Sequence, residues 1–449
     1  MSDRPKITLR SLVMPILLFG VRCHYRSITF RGKGNIPTGE PCILTPCHQQ
    51  TIMDPLMVLS LYAFSHRREP VFLARADIFS RKIVQRTHSF LRILPVYRSR
   101  DGYSNMSRNN EVFATCRHLL EDGTPICLMA EGRHNNRHQL LPLGKGAFRI
   151  AMETQKKLGQ RQLMIVPIGI DYDTYERPYG NVIVNVGKPI GMMQFMQPDA
   201  GNEAQMMNNM RGALSHAISS LMLDIRSNEH YDEIHTLCLA QNKRIREAKG
   251  LPDTPWNRFA VKQEIAARMQ DMPSDDPNGF DLLATKARQH KALCDSLHIS
   301  EDLPSEHLSP TACMTAILCI LAAATLAVAI PLVRMSLLFW LLCFPLPLLP
   351  THLIFKKMRI DPQFKSSFNF LLRYFFTIAY TIVMGITVTV NKGFWMNDMV
   401  GIGAWWGAVA GILVVIGAAI TGKAAAFLSL LADSCRFLLS KKKTLFPKL

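Results

Sequence analysis

The chain has 449 residues, 48% of them apolar and 19% charged, with a formal net charge of +18. That length allows two or three domains with cores of ample size, and the composition excludes wholesale disorder. The eleven cysteines are scattered and form no CxxC pair, which excludes a disulfide scaffold and offers no zinc ligand set, so reduced thiols are expected.

In chain order, residues 1–24 come first. Their apolar stretch, Leu12 to Val21, is flanked by Arg10 and Arg22. It is too short to cross a bilayer and is expected to lie on a membrane surface. Residues 25–200 alternate short β-rich runs (SITFRG, PCILTP, EPVFLA, ILPVYR, TPICLMA, LMIVPIGI, NVIVNVG) with helical stretches near 55–65, 105–121 and 145–158. That alternation predicts an α/β domain, a sheet flanked by helices. Residues 201–310 turn polar and helical, and predict a helical extension.

The remainder, 311–449, is apolar but basic, with 13 Lys+Arg against 3 Asp+Glu from Ala312 onward. Four runs, about 312–333, 335–354, 369–390 and 400–421, each reach the ~20 residues a membrane-spanning helix needs. They predict a C-terminal bundle of about four transmembrane helices with a basic tail. Lys356, Lys357, Arg359 and Lys365 lie between the second and third runs, and Lys423, Arg436, Lys441, Lys442, Lys443 and Lys448 follow the fourth. Positive loops of this kind predict an integral membrane protein with its catalytic domain and C-terminus facing the cytoplasm. Membrane lipids rather than nucleic acid are then the expected partner of the basic surface. Oligomeric state is not fixed by the sequence.

Four clusters fall at the ends of predicted strands. In CHQQTIMDPL, His48 and Asp54 follow an apolar strand; a histidine with a carboxylate in reach can take a proton from a hydroxyl. In RILPVYRSRDG, Arg98 and Arg100 offer guanidinium forks suited to phosphate oxygens. In LMAEGRHNNRHQLLPLGKGAFRIA a strand delivers Glu131 and Gly132 to a basic loop with Arg133, Lys145 and Arg149. His134 and His138 are four apart there, but the Asn-rich loop is no frame for a metal, and none is expected. In IVPIGI, Val166 and Pro167 end a strand and shape a pocket wall. Each cluster alone also fits a solvated turn or an ordinary strand end.

The ordered series HxxxxxD, PVYR, EGR and VPIGI over roughly residues 25–200 resembles the glycerolipid acyltransferase family, which includes 1-acylglycerol-3-phosphate and glycerol-3-phosphate acyltransferases. The resemblance is closest to the membrane-bound subgroup with the HxxxxxD spacing. It implies the family's mixed sheet flanked by helices. It further implies that His48 is the general base and Asp54 its orienting partner, and that Arg98 binds the acceptor's phosphate. Glu131, Gly132 and Arg133 would then line the acceptor site, and Pro167 would lie on the acyl-donor side.

The implied reaction moves a fatty acyl group from acyl-CoA or acyl-carrier protein to a hydroxyl of a phosphorylated glycerol acceptor, lysophosphatidate or glycerol 3-phosphate, in phospholipid biosynthesis. The thioester is a co-substrate and no cofactor is implied. Five residues separate His48 from Asp54 where four are usual. On one helix that extra residue would turn the carboxylate by ~100°, so His48 is expected in the loop before the helix. Ala130 stands where the family usually has Pro, and Arg92 where Gly is common. The alternative from another class is a non-catalytic lipid-binding or transport protein of the membrane. The near-absence of ionisable residues within the apolar runs speaks against transport.

Overall fold

The computed structural model describes the chain except residues 1–8, 64–67, 81–88, 98–107, 136, 176–178, 197–201, 330–352, 355–361, 391–422 and 441–449. The chain divides into two compact units, the first comprising 1–22, 27–175 and 181–228, the second 23–26, 176–180 and 229–449.

The first unit is built on the expected mixed sheet. Among the described residues its strands are β1 (Ser27–Arg31), β2 (Cys42–Pro46), β3 (Val71–Arg75), β4 (Ile93–Val96), β5 (Ile126–Leu128), β6 (Met164–Tyr172), β7 (Asn181–Val186) and the two-residue β8 (Ile190–Gly191). They lie in the order β1-β7-β6-β2-β5-β3-β4, with β8 also on β6. The four strands from β2 to β4 and their neighbour β6 run parallel, registered for example by Thr45 opposite Pro167 and Ile43 opposite Ile126. β7 is antiparallel to β6. β2 is buried at every position and β6 at all but its first, as suits central parallel strands covered on both faces.

Helices α2 (Met53–Tyr62), α3 (Arg108–Glu121), α4 (Gly146–Leu158) and α5 (Glu203–Ser219) accompany the sheet. Their buried residues recur at helical spacing: Phe113, Cys116 and Leu120 on α3, and Met210, Leu214 and Ile218 on α5. The start of α5 is set by a reciprocal capping box between Asn202 and Gln205. α1 (Leu9–His24) buries Met14 and leaves Ile16 and Phe19 exposed, and its Arg10 pairs with Glu69.

The second unit is helical among its described residues: α6 (Tyr231–Ala240), α7 (Asn242–Ala248), α8 (Pro255–Asp275), α9 (Pro277–Leu297), α10 (Leu303–Glu306), α11 (Pro310–Ala329), α12 (Pro362–Val390) and α13 over 423–439. Arg246, buried on α7, reaches Asp253 at 3.3 Å and Glu306 of α10 at 3.5 Å, while Arg258 of α8 meets the same two carboxylates. Phe437 of α13 packs with Cys294, Ile299 and Leu303.

The expected transmembrane bundle is overturned. Among the described residues no helix is long and apolar enough to cross a membrane. α11 and α12 stand on the first and third apolar runs, but α12 opens with Lys365, Ser366, Ser367, Asn369 and Arg373, so its apolar part begins only after Arg373 and falls short of the ~20 residues required. α11 carries the first run as far as 329, and the rest of that run, 330–333, lies outside the described residues. The second run, all but 353–354, and the whole of the fourth lie outside the described residues. The integral-membrane placement inferred from those runs falls with them.

Candidate active site

Strand β2 delivers the chain into a short loop, and α2 begins at Met53. Asp54 therefore occupies the first helical turn while His48 sits in the loop before it. Folding back, the loop brings His48 Nδ1 to 2.8 Å from Asp54 Oδ2. His48 keeps 15% of its side chain exposed and Asp54 none, so the imidazole can meet a substrate while its partner is shut off from water.

A bare buried carboxylate would be costly, and this one is saturated with donors. Oδ2 also accepts the backbone N–H of Gln49 at 2.9 Å and of Gln50 at 2.8 Å. Oδ1 accepts the Tyr172 hydroxyl, from the last residue of β6, at 2.6 Å. A carboxylate can only accept, so Nδ1 carries the hydrogen of its bond to Asp54, and in the neutral ring Nε2 is the nitrogen that can take a proton.

Glu131, just beyond β5, staples two loops together. It accepts the His48 backbone N–H at 2.6 Å on Oε1 and the Leu141 N–H at 2.8 Å on Oε2. Burial pushes its carboxyl from the usual 4.5 up to about 8, against the pull of those two N–H donors. The loop from 132 to 141 is pinned further: Leu140 N–H donates to Asp224 at 2.9 Å, and Ile225 N–H to the His138 carbonyl at 2.7 Å. Gly132 turns the chain with φ +64°, a conformation open to glycine.

The two histidines of this loop go to different partners. The His134 ring stands edge-on to His48 with centroids 5.1 Å apart and approaches the Thr51 hydroxyl at 3.4 Å. His138 is buried 3.3 Å from Asp171 and 3.0 Å from the Tyr175 hydroxyl, which donates to Gln49 Oε1 at 2.8 Å.

His48, Asp54 and Glu131 are thus brought together, with Gly132 and Arg133 on the adjoining loop. Arg133 is exposed, as are Lys145 and Arg149. Pro167 is buried within β6, its carbonyl accepting the Gly187 N–H at 2.9 Å. Arg98 and Arg100 lie outside the described residues. Sequence reasoning missed Tyr172, Gln49, Gln50 and the His138–Tyr175 pair. No sequence signal marked Tyr172, which closes a strand that is buried on both faces. Cys47, adjacent to His48, is no thiolate nucleophile: burial holds its thiol well above the usual range, and its sulfur accepts the Ile170 N–H at 3.1 Å.

The arrangement offers a partly exposed imidazole, held by a buried carboxylate at the C-terminal ends of parallel strands, where α/β sheets place their ligand crevices. No curated protein sequence matches the chain. Among solved structures, the 1-acyl-sn-glycerophosphate (LPA) acyltransferase PlsC from Thermotoga maritima is similar at 19% identity, over 49% of this chain and 84% of that one, with a TM-score of 0.33. Residues 27–171, from the first residue of β1 almost to the end of β6 and including His48, Asp54 and Glu131, match the family model described as Acyltransferase. Over this stretch, about a third of the chain, the protein is similar to the acyltransferase family.

Proposed function

We propose that the protein transfers a fatty acyl group from an acyl thioester, carried by CoA or acyl-carrier protein, to a hydroxyl of a phosphorylated glycerol acceptor, lysophosphatidate or glycerol 3-phosphate. The single observation that carries this reading is the His48–Asp54 pair, 2.8 Å apart, inside the stretch similar to the acyltransferase family. His48 Nε2 takes the acceptor's hydroxyl proton as the oxygen attacks the thioester carbonyl. Asp54 keeps the imidazole in the right tautomer and steadies the imidazolium that forms. The tetrahedral oxyanion collapses with loss of the thiolate, a good leaving group, and the imidazolium returns its proton to that sulfur. No protein nucleophile is needed. The phosphate is assigned to Arg98, with Arg133 on the acceptor side and Pro167 on the donor side.

The test is product analysis by mass spectrometry. Purified protein receives labelled acyl-CoA or acyl-carrier protein and a panel of acceptors dispersed in detergent, with His48→Ala in parallel. The expected result is one acylated phosphoglycerol product, reduced at least ~100-fold by His48→Ala, the usual minimum for loss of a general base. Folded protein that acylates no acceptor from either donor, or a His48→Ala variant that turns over undiminished, overturns the reading.

A further inference from the structure

The two oxygens of Asp54 are held differently. Oδ2 takes the imidazole and two backbone N–H groups, and Oδ1 takes the Tyr172 hydroxyl at 2.6 Å. We infer that Tyr172 is a positioning residue for the His48–Asp54 pair: its hydroxyl fixes Oδ1, so that Oδ2 stays aimed at the imidazole. The inference rests on the acyl-transfer reading for its effect on turnover, but not for its effect on His48 itself.

Three observations support it. Tyr172 and Asp54 are both fully buried, and an O–H···O⁻ bond away from water is among the stronger hydrogen bonds. The bond ties the first turn of α2 to the end of β6, two elements that frame the loop bearing His48. A second tyrosine secures the same loop from behind: Tyr175, with its ring 6.0 Å from that of Tyr172, donates to the side chain of Gln49, whose backbone N–H serves Asp54.

The ionisable groups around the pair come from every neighbouring element. They are Cys47 beside His48, Cys127 on β5, Glu131 and His134 after it, His138 farther along that loop, and Asp171, Tyr172 and Tyr175 from β6 onward. Of these it is Tyr172 that bonds Oδ1. Without its hydroxyl the carboxylate concentrates more charge on the side facing His48 and holds the imidazolium more tightly. A higher pH is then needed to free the base, and a looser carboxylate aligns it less well.

The experiment measures kcat and acceptor KM from acid to alkaline pH for the wild type, Tyr172→Phe and Tyr175→Phe. Alongside, it follows the pH dependence of carbethoxylation of His48 by diethyl pyrocarbonate, the phase that His48→Ala lacks. Tyr172→Phe is expected to lower kcat about 10-fold, a fraction of the whole general-base contribution, with KM changed less than about 2-fold. Its acid limb should rise by about half a pH unit in both turnover and carbethoxylation, while Tyr175→Phe leaves the limb in place. Tyr172→3-fluorotyrosine, a stronger donor of nearly the same size, should move the limb the other way, which keeps the inference testable if the Phe variant is unstable.

An unmoved limb in the Tyr172 variants, a KM effect at constant kcat, or the same shift in Tyr175→Phe overturns the inference. Absence of acyl transfer in the wild type overturns the proposed function alone, because the carbethoxylation arm still judges Tyr172.

Discussion

Glu131 carries a cost that changes with pH. Its carboxyl is shut from water and raised from 4.5 to about 8, so the folded protein holds that proton where the unfolded chain has released it. The neutral form's contribution to stability is complete below about 4.5 and is lost as pH rises to about 8. The melting temperature is therefore expected to fall between pH 5 and pH 8. In Glu131→Gln, which cannot ionise, the fall should be shallower across the same window, even though the amide has one acceptor for two backbone N–H groups. Parallel melting curves for the two proteins in scanning calorimetry would count against burial as the controlling effect at this site. The neighbouring pair was legible in the sequence as far as its placement: a five-residue gap is compatible with contact if the histidine precedes the helix, and His48 does. The tyrosine was not legible. β6 is buried on both faces, so its sequence, MIVPIGIDY, lacks the polar alternation that would separate the face of Asp171 from that of Tyr172.

At the scale of elements, the strands were readable because continuous apolar runs such as CILTP, bounded by turn residues, suit sheet positions covered on both sides. The two residues of β8 gave no period to read. The third span was misjudged because hydropathy registers an apolar run without registering where the helix around it starts, and α12 starts among lysine, serine and asparagine. Arg92, in the position where the resembled family commonly has glycine, adopts φ +56°, the left-handed region that glycine enters freely. A different constraint governs Gly169, in the middle of β6. A Cβ there would lie 2.2 Å from the carbonyl oxygen and 2.4 Å from the carbonyl carbon of Leu221. Backbone rather than a pliable side chain would have to yield, so the stretch between α5 and Asp224 rests directly on the strand. Gly169→Ala is expected to destabilise the first unit by about 2 kcal/mol or more, as overpacking against an immovable neighbour does. Because Asp224 and Ile225 anchor the His138–Leu140 loop, activity should fall as well. Urea denaturation gives the first quantity, and an unchanged midpoint would show that the segment moves freely away from β6.

For the whole molecule, the charge of +18 would act on the proposed substrates before any contact forms. A CoA thioester and a glycerol phosphate are both anions, and the exposed Arg133 and Arg137 lie on the loop that Glu131 ties to His48. Attraction of this kind reaches about 30 Å at 0.01 M salt and only about 8 Å at 0.15 M. The chemical step is insulated from it, since Asp54 is fully buried and its donors are in direct contact. Raising ionic strength across that range should therefore increase KM for acyl-CoA several-fold and leave kcat nearly constant, because screening weakens encounter rather than proton transfer. An acyl-pantetheine donor, which keeps the thioester but lacks the phosphates, separates this from a general salt effect. Its KM should stay flat over the same range. Equal salt sensitivity for the two donors would mean that the positive charge serves the acceptor or the fold, and that the donor is recognised through its acyl and pantetheine portions alone.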